Sequence, residues 1–123
     1  MRLPERALVA LACLAGLVGV AASAAAAHRV GAESLRTAAQ FLLFHAPAVI
    51  ALAGLSAAGL AWPALARVAG GLMLAGLCLF SGDLALRALA GHALFPMAAP
   101  AGGLMLMAGW CAGVACALVP ARR

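Results

Sequence analysis

The sequence predicts an all-α fold, a four-helix transmembrane bundle with up-down topology. Three observations predict it. Of the 123 residues 67% are hydrophobic and only 9% are charged, where a soluble domain carries about a quarter charged residues to cover its surface. The apolar residues fall into four blocks, each near the length of about 20 residues that a bilayer demands. The charges stand mostly beside the ends of those blocks, where they anchor and orient helices.

The first block covers residues 7–27, behind Arg2, Pro4, Glu5 and Arg6. It has two readings. One is a retained helix. The other is a secretory signal, since a basic start, an apolar run and the small residues Ala22 to Ala27 also describe a cleavable leader. A mature chain starting near His28 would then be secreted or periplasmic. Residues 28–40 are the most polar stretch and read as a connection, with Gly31 breaking the first helix. The second block, 41–62, contains Pro47, which removes an amide donor and predicts a kink near Leu43. Trp62 and Pro63 close it. A short turn over 63–67 makes the second and third helices antiparallel neighbours. The third block, 68–89, holds Ser81, Asp83 and Arg87. A Gly/Pro-rich connection with His92, Pro96 and Pro100 leads to the fourth, 101–119, which ends at Pro120 and Arg122-Arg123. No internal repeat and no second domain is visible, so residues 1–123 read as a single integral membrane domain.

Net charge is +5 and all eight cations are arginines. They are scattered rather than gathered into the basic stripe that marks a nucleic-acid surface, and no nucleic-acid partner is expected. With four spans, Arg2, Arg6, Arg67, Arg122 and Arg123 share one side and Arg29, Arg36 and Arg87 the other. The positive-inside rule then favours cytoplasmic termini in a bacterial inner membrane. The four cysteines, Cys13, Cys78, Cys111 and Cys116, lack Cys-x-x-Cys spacing and read as small packing residues.

In an up-down bundle the first and third connections lie on the same side. That brings His28, Gln40, His45, Ser81, Asp83, Arg87 and His92 toward one half of the membrane as a candidate polar pocket. The other half then reads as almost purely aliphatic. Asp83 lies about 9 Å below the end of its helix at 1.5 Å per residue, and Arg87 one turn on can pair with it. Two readings stand: a pocket with Asp83 and His45 as proton or ligand contacts, or an ion pair and hydrogen-bonded histidines that fix helix register. The histidine spacings suit no metal site and Ser81 lies in no nucleophile elbow, so no catalytic residue, metal or cofactor is expected. Gly71 with Ala75, and Gly109 with Gly113, carry the four-residue spacing of small residues that lets membrane helices approach closely. Their partner is another helix of this chain, a second copy or another membrane protein.

The runs Gly76-Leu77-Cys78-Leu79-Phe80-Ser81-Gly82-Asp83-Leu84, Pro100-Ala101-Gly102-Gly103 and Ala108-Gly109-Trp110 resemble the bacterial membrane family called domain of unknown function 423. Phe44-His45-Ala46 is similar to that family's aromatic-His-Ala step, and Ala26-Ala27-His28 to its Gly-Ala-His step. The eukaryotic transmembrane protein 256 group is similar. The resemblance implies four transmembrane helices and a first block that stays attached. The chain departs from the pattern in its nearly all-alanine approach to His28 and in Pro47, and the resemblance implies no activity. The functional expectation is a non-enzymatic structural or interaction protein in contact with the lipid bilayer. The alternative is a small transporter or proton-coupled carrier working through Asp83, Arg87 and His45.

Overall fold

A computed structural model describes residues 1–121; Arg122 and Arg123, which entered the orientation argument, lie outside the described residues. Four helices follow in order: α1 Leu3–Ala27, α2 Glu33–Ala57, α3 Pro63–Ala90 and α4 Ala98–Leu118. All four are long and apolar enough to cross a membrane. Even α4, with 21 residues, extends about 31 Å, matching a hydrocarbon core of about 30 Å.

Every helix starts earlier than the apolar blocks suggest, and for identifiable reasons. Pro4, Pro63 and Pro100 sit in the first turns of α1, α3 and α4. There the missing amide costs nothing and the fixed φ favours the helix. α2 begins eight residues before the apolar block because residues 33–40 are amphipathic rather than irregular. Leu35, Ala38 and Ala39 are buried, whereas Glu33, Arg36 and Gln40 face outward. Glu33 favours the positive end of the helix dipole, and Arg36 donates to it at 2.7 Å across one turn. The helix continues through Pro47 and ends before Gly59, whose φ of +73° takes the left-handed turn. The connection between α2 and α3 therefore lies at 58–62, upstream of the turn expected at 63–67. Met97, at φ +67°, is the non-glycine residue with a left-handed backbone among the described residues.

The helices pack in sequence, α1 on α2, α2 on α3 and α3 on α4, with a lighter contact between α1 and α3. Their shared core includes Leu8 and Ala12 of α1, Val49 and Ala53 of α2, Met73 and Leu77 of α3, and Leu106 of α4. At one end Ala26, Ala32 and Leu35 pack with Ala85 and Ala88. The α1–α2 connection and the C-terminal end of α3 are thus on one side, as the up-down order requires.

Glycines set the closest approach. A Cβ on Gly102 would stand 2.5 Å from the Phe80 backbone nitrogen and 2.7 Å from the Gly76 carbonyl oxygen. One on Gly109 would meet Met73 Cγ at 2.7 Å. Of the small residues singled out by spacing, Gly109 is in this interface. Gly71 and Gly113 have no atom within 4 Å of a Cβ position, and Ala75 is exposed. The α3–α4 contact instead turns on Gly76 and Gly102. Cys116 is buried, but Cys13, Cys78 and Cys111 face outward rather than packing in the core.

Candidate functional site

The polar side chains inside the bundle occur at three levels rather than at one end. At the level of the α1–α2 connection, Asp83 is 0% exposed. Arg87 Nε donates to its Oδ2 at 2.8 Å, and the Leu94 amide donates to Oδ1 at 2.8 Å. The second bond ties the α3–α4 connection back onto α3. Both carboxylate oxygens therefore have partners, and Arg87 extends into an exposed position. Close by, Ser81 Oγ donates to the Ala38 carbonyl oxygen at 3.0 Å, joining α3 to α2 inside the protein.

His45 lies elsewhere. With α2 starting at Glu33, it is twelve residues from either helix end, about 18 Å from each, and so near the middle of the span. It is 6% exposed. Trp110 Nε1 of α4 donates to its Nε2 at 3.0 Å, while its Nδ1 is 2.8 Å from the Phe41 carbonyl oxygen. Accepting from Trp110 requires a lone pair on Nε2. The proton is then on Nδ1, which donates to Phe41, and a neutral ring satisfies both contacts. Phe41 stacks on His45 at 5.6 Å and on Phe80 at 4.4 Å, and His45 meets Trp110 edge-on at 5.8 Å. Four rings from three helices form one cluster.

A third group sits at the opposite end, in the half that the sequence presents as aliphatic. Glu5 is 2% exposed. Its Oε1 accepts from Ser56 Oγ of α2 and from Arg67 Nε of α3, both at 2.8 Å. Arg67 Nη2 stands 2.8 Å from the same oxygen. One carboxylate thus joins the ends of three helices. A hollow of about 490 Å³ lined by Arg2, Glu5, Ser56 and Arg67 opens beside it. Sequence reasoning missed this group because Glu5 precedes the apolar block and its partners follow 51 and 62 residues later. The sequence signal was a carboxylate within one turn of an apolar helix.

The remaining candidates do not join these groups. His28 caps the C-terminus of α1 and is exposed. Gln40 is exposed. His92 is exposed, its Nδ1 3.0 Å from the Ala93 carbonyl oxygen. The expected convergence of seven residues on one pocket is therefore replaced by Ser81, Asp83 and Arg87 at one level, His45 at another, and three residues at the surface.

Four apolar spans joined by internal polar bonds define a small multi-pass helical membrane protein. More narrowly, the chain belongs to the family described as Protein of unknown function (DUF423), whose model matches residues 21–103, from late α1 into α4. No curated protein and no solved structure shows a match.

Proposed function

We propose that this protein is a non-enzymatic structural or interaction component of the bacterial inner membrane, with cytoplasmic termini. The observation that carries this reading is the engagement of both Asp83 oxygens and both His45 ring nitrogens by groups of the protein itself. An ionisable side chain inside a membrane is costly unless paired, and these pairs hold helices and a connection in register. The outward faces carry Leu11, Leu14 and Leu17 on α1 and Leu104, Met107 and Val114 on α4, surfaces suited to lipid, a second copy or another membrane protein. The five arginines assigned to the side of the termini, against three opposite, support the orientation.

The second reading is a carrier in which Asp83, Arg87 and His45 exchange these partners for a proton or ligand. Purified protein in liposomes, with proton flux followed by an entrapped pH-sensitive dye, separates the two. The structural reading expects flux equal to that of empty liposomes, and Asp83→Asn lowering only the unfolding temperature and membrane abundance. Flux above the empty-liposome level that disappears in an abundant, normally folded Asp83→Asn protein refutes it in favour of the carrier.

A further inference from the structure

An apolar groove of about 520 Å³ runs between α1 and α3, with Ala38 and Leu42 of α2 as its floor. Leu11, Leu14 and Val18 form one wall, and Leu74, Cys78 and Gly82 lie along the other. Its lining extends from Leu11 to Ala22 on α1 and from Leu74 to Ala85 on α3, about 16 Å on each helix at 1.5 Å per residue. That is half of a hydrocarbon core about 30 Å thick. The groove has the depth of one leaflet.

A cation lies beyond its end. Ala22 and Ala85, at the end of the groove, pack on Ala26, Ala32 and Leu35. Immediately beyond, Arg29, Gly31, Ala32, Leu35 and Ala88 line a polar hollow of about 190 Å³. The other arginines at this end are engaged, Arg36 with Glu33 and Arg87 with Asp83. Arg29 is exposed and has no ion-pair partner among the described residues. Val30 beside it is fully exposed, at 107%, an apolar side chain at the level where a helix leaves the membrane.

We infer that the groove and Arg29 together hold one anionic phospholipid, an acyl chain lying between α1 and α3 and the phosphate on the guanidinium. Length and charge choose this occupant. A helix crossing the membrane needs a track about 20 residues long, whereas this groove serves one leaflet and stops. The hollow beyond its end is lined by Arg29, whose guanidinium matches phosphate oxygens in a forked geometry, where an apolar helix would bring no anion. The inference goes beyond the structural reading above and is independent of any protein partner.

The test is native mass spectrometry of the full-length protein after equilibration with mixed micelles containing equal phosphatidylglycerol and phosphatidylcholine. The expected result is a one-to-one adduct favouring phosphatidylglycerol about fivefold, the preference that one arginine gives for a headgroup with net negative charge over a zwitterionic one. Arg29→Gln should abolish that preference, while Arg6→Gln leaves it intact. Gly82→Leu, at a position with no atom within 4 Å of a Cβ, should displace both lipids; Ala75→Leu, on the same wall, does so independently should the first variant fold poorly. Equal retention of the two lipids by the unaltered protein overturns the inference. So does preference unaffected by Arg29→Gln, retention unaffected by filling the groove, or a dimer that the leucines dissociate, which would give the groove to a second copy.

Discussion

Trp110 of α4 donates its indole N–H to His45 of α2 at 3.0 Å, across 65 residues of sequence. The bond reaches past α3, on which α4 packs, and ties the last helix to the second. Together with Ser81 on α2 and Glu5 on α2 and α3, it leaves every helix joined to another by a buried or half-buried polar bond. In lipid such bonds matter because apolar surface alone gives helices no preference for each other over acyl chains.

The Trp110–His45 bond should be measurable as a coupling. Trp110→Phe and His45→Phe each keep a ring in the aromatic cluster and remove one partner. A double-mutant cycle followed by unfolding in detergent should give about 0.6 kcal/mol, and no more than about 1.7. A coupling indistinguishable from zero would show that the bond contributes nothing to helix association.

Gly102→Ala should destabilise the protein by about 1–3 kcal/mol, the range for forcing atoms into a packed contact. Its Cβ would meet backbone atoms of Phe80 and Gly76 at 2.5 and 2.7 Å, which cannot turn away as a side chain can. Gly113→Ala, where nothing lies within 4 Å, should stay within about 0.5 kcal/mol of the parent. Equal unfolding temperatures for the two variants would contradict the assigned α3–α4 interface.

Glu5→Gln and Arg67→Gln should each lower the yield of folded protein, because each leaves a charge at the helix ends without its counterion. Combining them should recover part of the loss, since two neutral amides can still bond each other. Folded yield is read by size-exclusion chromatography of detergent extracts. A double variant worse than the sum of the singles would mean that the charges do not act as a pair.

Asp83→Asn keeps an acceptor for the Leu94 amide and removes the charge facing Arg87, whereas Asp83→Ala removes both bonds. The α3–α4 connection should therefore be cleaved by protease faster in Asp83→Ala than in Asp83→Asn, with the unaltered protein slowest. Identical cleavage rates would separate Asp83 from the order of that connection.

The number and type of spans were legible because lipid imposes a simple requirement, about 20 apolar residues at a time. The start of α2 was not, since Glu33, Arg36 and Gln40 look like a connection until Leu35, Ala38 and Ala39 are placed on the opposite face of a helix. The runs from Gly76 to Leu84 and from Pro100 to Gly103, which carry the family resemblance, lie inside the matched segment, and Trp110 lies beyond its end. The Asp83–Arg87 pair could be anticipated from its four-residue spacing. The bonds of His45 and Glu5 could not, because their partners are distant in sequence and depend on how each helix is rotated about its axis. Rotation is poorly encoded where nearly every face is apolar. Gly71 and Gly113 show the consequence: they share the spacing of packing glycines yet have no close neighbour in this chain.

A four-span up-down bundle places the first and third connections, 28–32 and 91–97, on the same side. Reporter fusions after Gly31, Gly59 and Gly91 test it directly, using an enzyme active only in the periplasm and a fluorescent protein active only in the cytoplasm. The up-down bundle requires the Gly31 and Gly91 fusions to report the same compartment and the Gly59 fusion the opposite one. Opposite signals from Gly31 and Gly91 would contradict it.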